Sequence, residues 1–209
     1  MKKLIATVVL TVMSVCLASA QNVQPAKRLE SNFQVGAGLF LESGLYARYQ
    51  NPGAVLRLSY GLDIRLDDRW SVMPGLGIRA QVSDIENLRA LGVDLDELAY
   101  ADVFLTARYH IEANRSHIVL GLGPALSYAI HQDTYYIDAD PFGPLNGKVK
   151  FNRIDVGLQP SVTFQPRAHF QWGLEANVGL LNSMIQYPEY NRTGSIHLHY
   201  IALTCGWHF

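Results

Sequence analysis

The chain is 209 residues long and carries 17 Lys and Arg against 18 Asp and Glu, a formal charge of −1. That balance, with no basic patch, excludes nucleic acid as a partner. The length suffices for one domain with a full core. After residue 20 no apolar run reaches the ~20 residues that a membrane-spanning helix needs.

Taken from the N-terminus, MKKLIATVVLTVMSVCLASA has two lysines, an apolar stretch from Leu4 to Leu17, then Ala18-Ser19-Ala20. This is the three-part layout of a secretory signal peptide over residues 1–20, with cleavage before Gln21. The rivals are an uncleaved anchor, for which the apolar run is short, and a lipoprotein acylated at Cys16, for which Val15 is a poor match. Cleavage removes Lys2, Lys3 and Cys16. The mature chain is then more acidic and keeps one thiol, Cys205, so it can form no intramolecular disulfide. Residues 21–32 are polar and read as a short leader, and residues 33–209 as the domain proper.

From Phe33 the hydrophobic period is two almost everywhere, which predicts strands with one apolar face. FQVGAGLFL places Phe33, Val35, Ala37, Leu39 and Leu41 together. AVLRLSYGLDIRL sets Leu56, Leu58, Tyr60, Leu62, Ile64 and Leu66 against Arg57, Ser59, Gly61, Asp63 and Arg65. The stretch from Trp70 sets Val72, Leu76, Ile78 and Ala80 against Ser71, Gly75, Gly77 and Arg79. AYADVFLTARYHI opposes Val103, Leu105, Ala107 and Tyr109 to Asp102, Thr106, Arg108 and His110. Four more strands follow from His117, Phe151, His169 and the C-terminal YIALTCGWHF, making eight.

Their connectors alternate in length. Residues 67–69, 112–116 and 166–168 are tight turns, whereas 43–53, 84–98, 132–148 and 186–194 are long. No helix-crossover lengths occur, so the strands form an antiparallel up-and-down meander with short turns at one end and loops at the other. The one helical candidate, 84–91, lies inside a long loop.

Two barrels fit such a meander: a soluble one with its apolar face inward, and a membrane one with its apolar face outward. Three features favour the membrane form. The strands are long enough to cross a bilayer at a tilt, for which ~9–11 residues suffice. The polar face is rich in glycine, which makes room for long side chains inside a narrow barrel. Trp70, Trp172 and Trp207 all sit near short-turn ends, where an interfacial aromatic girdle belongs. The expected fold is therefore all-β, an eight-stranded antiparallel up-and-down transmembrane β-barrel. Its last strand must pair with its first, because hydrocarbon leaves no backbone group unpaired. Pro74, Pro124 and Pro160 fall inside strands, where each predicts a bulge.

This pattern resembles the small eight-stranded outer-membrane barrels of Gram-negative bacteria, of the OmpA/OmpX type. It is most similar to the outer membrane protein beta-barrel domain families of Bacteroidetes, some of them called PorT-like. The resemblance covers 33–209 and rests on architecture. It implies a cell outer membrane location with both termini periplasmic and the long loops extracellular, in contact with outer-membrane lipid and lipopolysaccharide. It also implies that Leu203, Cys205, Trp207 and Phe209 form the C-terminal signal read by the barrel-assembly machinery.

Three constellations could carry chemistry. On the inward face stand Arg57, Arg65, Arg79, Arg108 and Arg153 with Asp63, Asp102, Asp155 and Glu175, read as a charge-balanced plug. A selective passage or an ion relay is the alternative. Ser195, His197 and His199, with Glu189 nearby, offer a His-x-His pair for a metal. They are also the residue types of the outer-membrane lipid A deacylases, although Ser195 precedes both histidines and the His-x-Ser order of those enzymes is not reproduced. The segment 132–148 combines Tyr135, Tyr136 and Phe142 with Asp133, Asp138 and Asp140, which could hold a hard cation or dock an extracellular ligand or envelope protein. No catalytic residue, metal site or cofactor is assigned. The expected role is structural or surface-interactive, with a narrow-channel transporter and a lipid-modifying enzyme as alternatives.

Overall fold

The structure, a computed structural model, describes residues 29–44, 53–82, 93–94, 98–113, 116–132, 135–137, 147–166, 169–181, 184–186 and 196–209. Twelve strands run through them: β1 (Leu29–Gly44), β2 (Gly53–Arg65), β3 (Trp70–Val82), β4 (Val93–Asp94), β5 (Leu98–Ala113), β6 (Ser116–Gln132), β7 (Tyr135–Ile137), β8 (Gly147–Phe151), β9 (Ile154–Gln165), β10 (Phe170–Gly179), β11 (Met184–Gln186) and β12 (Ile196–His208). Eight of them close a barrel in the order β1-β12-β10-β9-β6-β5-β3-β2, every pair antiparallel. The signal-peptide stretch and the helical candidate at 84–91 lie outside the described residues.

Closure runs to the last residue. The Ser31 N–H donates to the Phe209 carbonyl at 3.0 Å, and the Phe209 N–H donates back to Ser31 at 2.9 Å. The first strand accordingly starts at Leu29, four residues inside the expected leader, because Leu29–Asn32 are needed to pair β2 and the end of β12. The short turn after β2 is held by Asp67, whose Oδ1 accepts from the N–H groups of Arg69 at 2.7 Å and Trp70 at 2.8 Å. This is the local side-chain-to-backbone bonding for which aspartate is favoured in turns.

The strand alternation sorts side chains cleanly. Phe33, Val35, Leu39, Leu56, Leu58, Leu76, Ile78, Leu120, Leu122, Leu174 and Leu203 point away from the barrel, while Arg57, Arg79, Asp102, Arg108, Gln159 and Asn177 are buried within it. A polar core inside an apolar wall is the transmembrane arrangement.

The prolines do not make bulges. Pro74 interrupts the β2–β3 ladder between Gly61↔Gly75 and Ile64↔Val72, Pro124 the β5–β6 ladder between Phe104↔Ala125 and Ala107↔Leu122, and Pro160 the β9–β10 ladder between Glu175↔Ser161 and Val178↔Leu158. On both sides of each gap the register is the same, and the ladder on the proline's other side is continuous. In an antiparallel strand a residue directs its N–H and C=O to one neighbour, so a missing N–H costs bonds on that side alone. The one register shift in the barrel lies between Ala99 and Tyr100, opposite β6 at Ile130, near the long-loop end.

The inward glycines serve two purposes rather than one. At Gly157 a Cβ would stand 2.2 Å from Asn177 Oδ1, and at Gly75 2.2 Å from the Phe104 ring, so those glycines make room for side chains. At Gly38 and Gly123 a Cβ would lie 1.9 Å from the carbonyl oxygens of Ile201 and Leu105. There the absent methyl lets neighbouring backbones close in, as sharp coiling of a narrow barrel demands.

Above the long-loop end, the short strands β11, β8, β7 and β4 form a second sheet in that order. Its ladders bring Val93 opposite Ile137, Asp94 opposite Tyr136, and Tyr136 opposite Lys148. Asp133, Asp138, Asp140, Phe142, Glu189 and Ser195 lie outside the described residues.

Candidate functional site

The lumen is built from successive inward positions. Arg57 of β2 and Arg79 of β3 are direct cross-strand partners, a like-charged pair that needs anions nearby. Two supply it. Arg57 pairs with Glu175 of β10, and both arginines reach Asp102 of β5, with Nε to Oδ2 distances of 3.9 Å from Arg57 and 3.5 Å from Arg79. Gly36 is the partner of Arg57 on β1, and a Cβ on Gly77 of β3 would stand 3.6 Å from Arg57 Nε.

Aromatic and hydroxyl groups complete this layer. Arg57 lies over the Phe104 ring at 5.1 Å, and Arg79 lies between Tyr100 at 4.6 Å and Tyr200 at 5.2 Å. The Tyr200 hydroxyl donates to Glu175 Oε1 at 2.6 Å and accepts from Gln159 Nε2 at 3.1 Å. Arg79 Nη2 donates to Ser127 Oγ at 3.1 Å. Such stacking and hydrogen bonding partly replace the water a guanidinium loses on burial.

Towards the short-turn end, Arg108 Nη1 donates to Asp63 Oδ2 at 2.5 Å. Below it, Asn32 and Gln171 exchange two amide bonds, and Gln165 donates to Gln171. His110 shares a 2.7 Å hydrogen bond with Ser71 and lies 5.0 Å, ring to ring, from His117. Towards the long-loop end, Phe40, Val55, Leu98 and Leu198 fill the interior, none more than 2% exposed.

Of the nine sequence-predicted lumen charges, seven are buried in this interior: Arg57, Asp63, Arg79, Asp102, Arg108, Asp155 and Glu175. Arg65 is half-buried and Arg153 is exposed. Both have the inward parity, but each stands at or just beyond a strand end, where inward means the mouth. Asp155 is buried opposite Ser127 on β6, without a side-chain hydrogen bond. Sequence reasoning missed Tyr100, Phe104 and Phe40. The signal was present, since each shares parity with the charged residues of its strand or its partner strand.

The interfacial aromatics stand outward near the short turns. Trp70 contacts Tyr109 at 4.9 Å, Trp172 stacks on Phe164 at 4.8 Å and Trp207 meets Phe170 edge-on at 5.8 Å. Leu203, Cys205, Trp207 and Phe209 also point outward.

His197 and His199 face outward too, at the other end of β12. The Gly179 N–H donates to His199 Nδ1 at 3.2 Å, which leaves the ring proton on Nε2, 2.6 Å from Ser43 Oγ. His199 therefore donates to Ser43. A base that would activate this serine must accept from it, so the pair is not arranged for nucleophilic catalysis. Among the described residues no group of three or more His, Cys, Asp or Glu side chains is placed to hold a metal ion.

No family model matches the chain, and no curated protein matches it in sequence. Solved structures do. The attachment invasion locus protein Ail of Yersinia pestis superposes with a TM-score of 0.52 at 12% identity, over 88% of this chain and 100% of that one. Neisserial surface protein A gives 0.51 at 12%, over 88% and 98%. The outer membrane protein OprG of Pseudomonas aeruginosa gives 0.50 at 11%, over 88% and 96%. The chain has the fold of these outer-membrane barrels.

Proposed function

We propose that this protein is an outer-membrane β-barrel with a structural or surface-interaction role, its lumen plugged by its own side chains. The observation that carries the reading is the succession of buried side chains along the interior. Arg108–Asp63, the Arg57/Arg79/Asp102/Glu175 layer and the apolar set around Leu98 and Leu198 succeed one another along the axis. Opposite charges at ~4 Å attract by about 4 kcal/mol even at an effective dielectric of 20, which opposes their separation by a water column. The termini are periplasmic and the long loops extracellular in this reading, as an even strand number and short turns at the terminal end suggest. Assignment to the PorT-like families of Bacteroidetes belongs to the same proposal and is supported by the strand pattern and final aromatic. We also read the chain as a non-enzyme, since among the described residues the outward Ser43–His199 contact runs in the wrong hydrogen-bond direction. Attachment and invasion are named for Ail, and a surface place for the Neisserial protein. A fold does not carry function with it, but these names make a surface role the first to test.

The test has two arms. In a planar bilayer the refolded protein should show little or no conductance, and a stable ion-selective conductance abolished by neutralising Arg57 or Asp102 would establish a channel instead. On intact cells, a tag inserted near Asn146 should be reached by antibody. Exposure only after the outer membrane is permeabilised would overturn the orientation.

A further inference from the structure

We propose that Ser43, His197 and His199 form a binding site for the phosphate of a lipid headgroup in the leaflet at the long-loop end. The naming of that leaflet as the outer one rests on the location proposed above.

The outward wall supplies the first argument. No Lys, Arg, Asp or Glu occupies a described outward position of the eight barrel strands. Ionisable imidazoles do so at His197 and His199, and past the β6 bulge at His131. All three tryptophans mark the short-turn end of the wall, and all three of these histidines the long-loop end. A polar side chain on a lipid-facing wall is costly unless it sits at headgroup depth with a partner there.

Geometry supplies the second. Ser43 and His197 are direct cross-strand partners, and the imidazoles of His197 and His199 lie 6.5 Å apart at 22°. Gly179 fixes the His199 tautomer, His199 donates to Ser43, and the Ser43 hydroxyl proton is left to point elsewhere. The serine hydroxyl and the His197 ring N–H are thus adjacent donors on the lipid face, and a phosphoryl oxygen is the strong acceptor available at that depth.

The wall below fits the rest of a lipid. Leu39 and Leu41 on β1, with Ile201 and Leu203 on β12, are outward and 42–64% exposed, directly beneath the histidines. Opposite Leu203 stands Ala37, and opposite Ile201 stands Ala176, small neighbours beside the two larger apolar side chains.

The test uses the full chain refolded in nanodiscs of digalactosyldiacylglycerol, a bilayer lipid without phosphate, with the imidazole signals of His197 and His199 followed by NMR. Doping with phosphatidic acid should shift both signals in a saturable way, whereas diacylglycerol, which lacks the phosphate, should not. In Ser43→Ala and in His197→Ala the mole fraction for half-saturation should rise about tenfold, the effect of one lost hydrogen bond to a charged group. Ser43→Ala keeps the test open should the histidine variant not refold. Equal shifts with diacylglycerol, no shift with phosphatidic acid, or unchanged titrations in both variants would overturn the proposal. Inorganic phosphate added to undoped discs should have no effect; the same shift from it would make this a free-phosphate site and refute the lipid assignment. Both faces of a nanodisc carry the same lipid, so this result is independent of the cell-surface tag that tests location.

Discussion

The two walls of the same strands obey opposite rules. Outward, between the tryptophans and the histidines, Leu, Ile, Val, Ala and aromatic residues repeat with no requirement beyond being apolar. Inward, the central charges and hydroxyls stand in specified pairs: Arg57 has Glu175, Arg108 has Asp63, Tyr200 has both Glu175 and Gln159. The outer wall meets a fluid that accommodates any apolar shape, so its energetics depend on depth alone. The inner wall meets other side chains in a space without exit, so its energetics depend on identity. A substitution should therefore be tolerated outward when it is apolar and inward only when its partner is provided for.

The largest effect should come from breaking an inner pair. Arg57→Met leaves Glu175 buried without its guanidinium and Asp102 with Arg79 alone. Removing one member of a buried pair typically costs about 3–5 kcal/mol. Urea unfolding in lipid vesicles should show that loss, and combining Arg57→Met with Glu175→Gln should recover part of it. Additive losses would mean that the two side chains act independently.

The outer wall should answer to depth instead. Leu203 lies on β12 midway between Trp207 and His199, so Leu203→Arg places a charge near the bilayer centre at about 2–4 kcal/mol. Leu203→Val should be nearly silent by the same unfolding assay. A costly valine or a silent arginine would mean that this face packs against protein.

How much of this difference was legible in the sequence follows from its cause. The outer wall is written in residue type at alternate positions, so the strands, the meander, the tryptophan ends and the closing strand could all be read from the chain. The parity of Arg57, Arg79 and Asp102 was equally legible, but which arginine meets which carboxylate depends on register between strands far apart in sequence. Parity also overshoots: Arg153 precedes the first residue of β9, and although its carbonyl still accepts from Ala129 of β6, its side chain is exposed at the mouth. A proline reads as a bulge from local rules, whereas a closed sheet held on both sides keeps its register and forgoes the bonds. The extra strand residues Leu29–Asn32 carried no strong apolar signal, being fixed by partners on β2 and β12.

A smaller effect separates two kinds of inward glycine. Gly38→Ala would drive a methyl into the Ile201 carbonyl, a backbone group that cannot turn aside. Overpacking of that kind costs about 1–3 kcal/mol. At Gly157 the obstacle is the Asn177 amide, a side chain with rotamers to spare, and Gly157→Ala should lose less. Equal losses at both positions would mean that the close backbone approach at Gly38 is not required for closure.

The last prediction changes no stability and tests the division between the walls directly. Cys205 points outward on β12, between Val35 of β1 and Trp172 of β10, its two cross-strand partners. It is exposed from the protein's side, yet the surface it faces is lipid at the inner edge of the aromatic belt, level with Trp172. In folded protein in vesicles, a charged maleimide should therefore leave it unlabelled, while a small apolar maleimide that partitions to the same depth should react at a rate that rises with pH, because the thiolate is the nucleophile. Both should react after denaturation. A slip of β12 by one residue would turn this thiol into the lumen, with Gly206 and Thr204 taking the lipid side, because strand side chains alternate strictly. Both reagents should then be slow, since the interior is filled. Rapid reaction with the charged reagent alone would instead mean that water, not lipid, bathes the apolar face. The three outcomes are distinct, and only the first is compatible with an outer wall governed by depth.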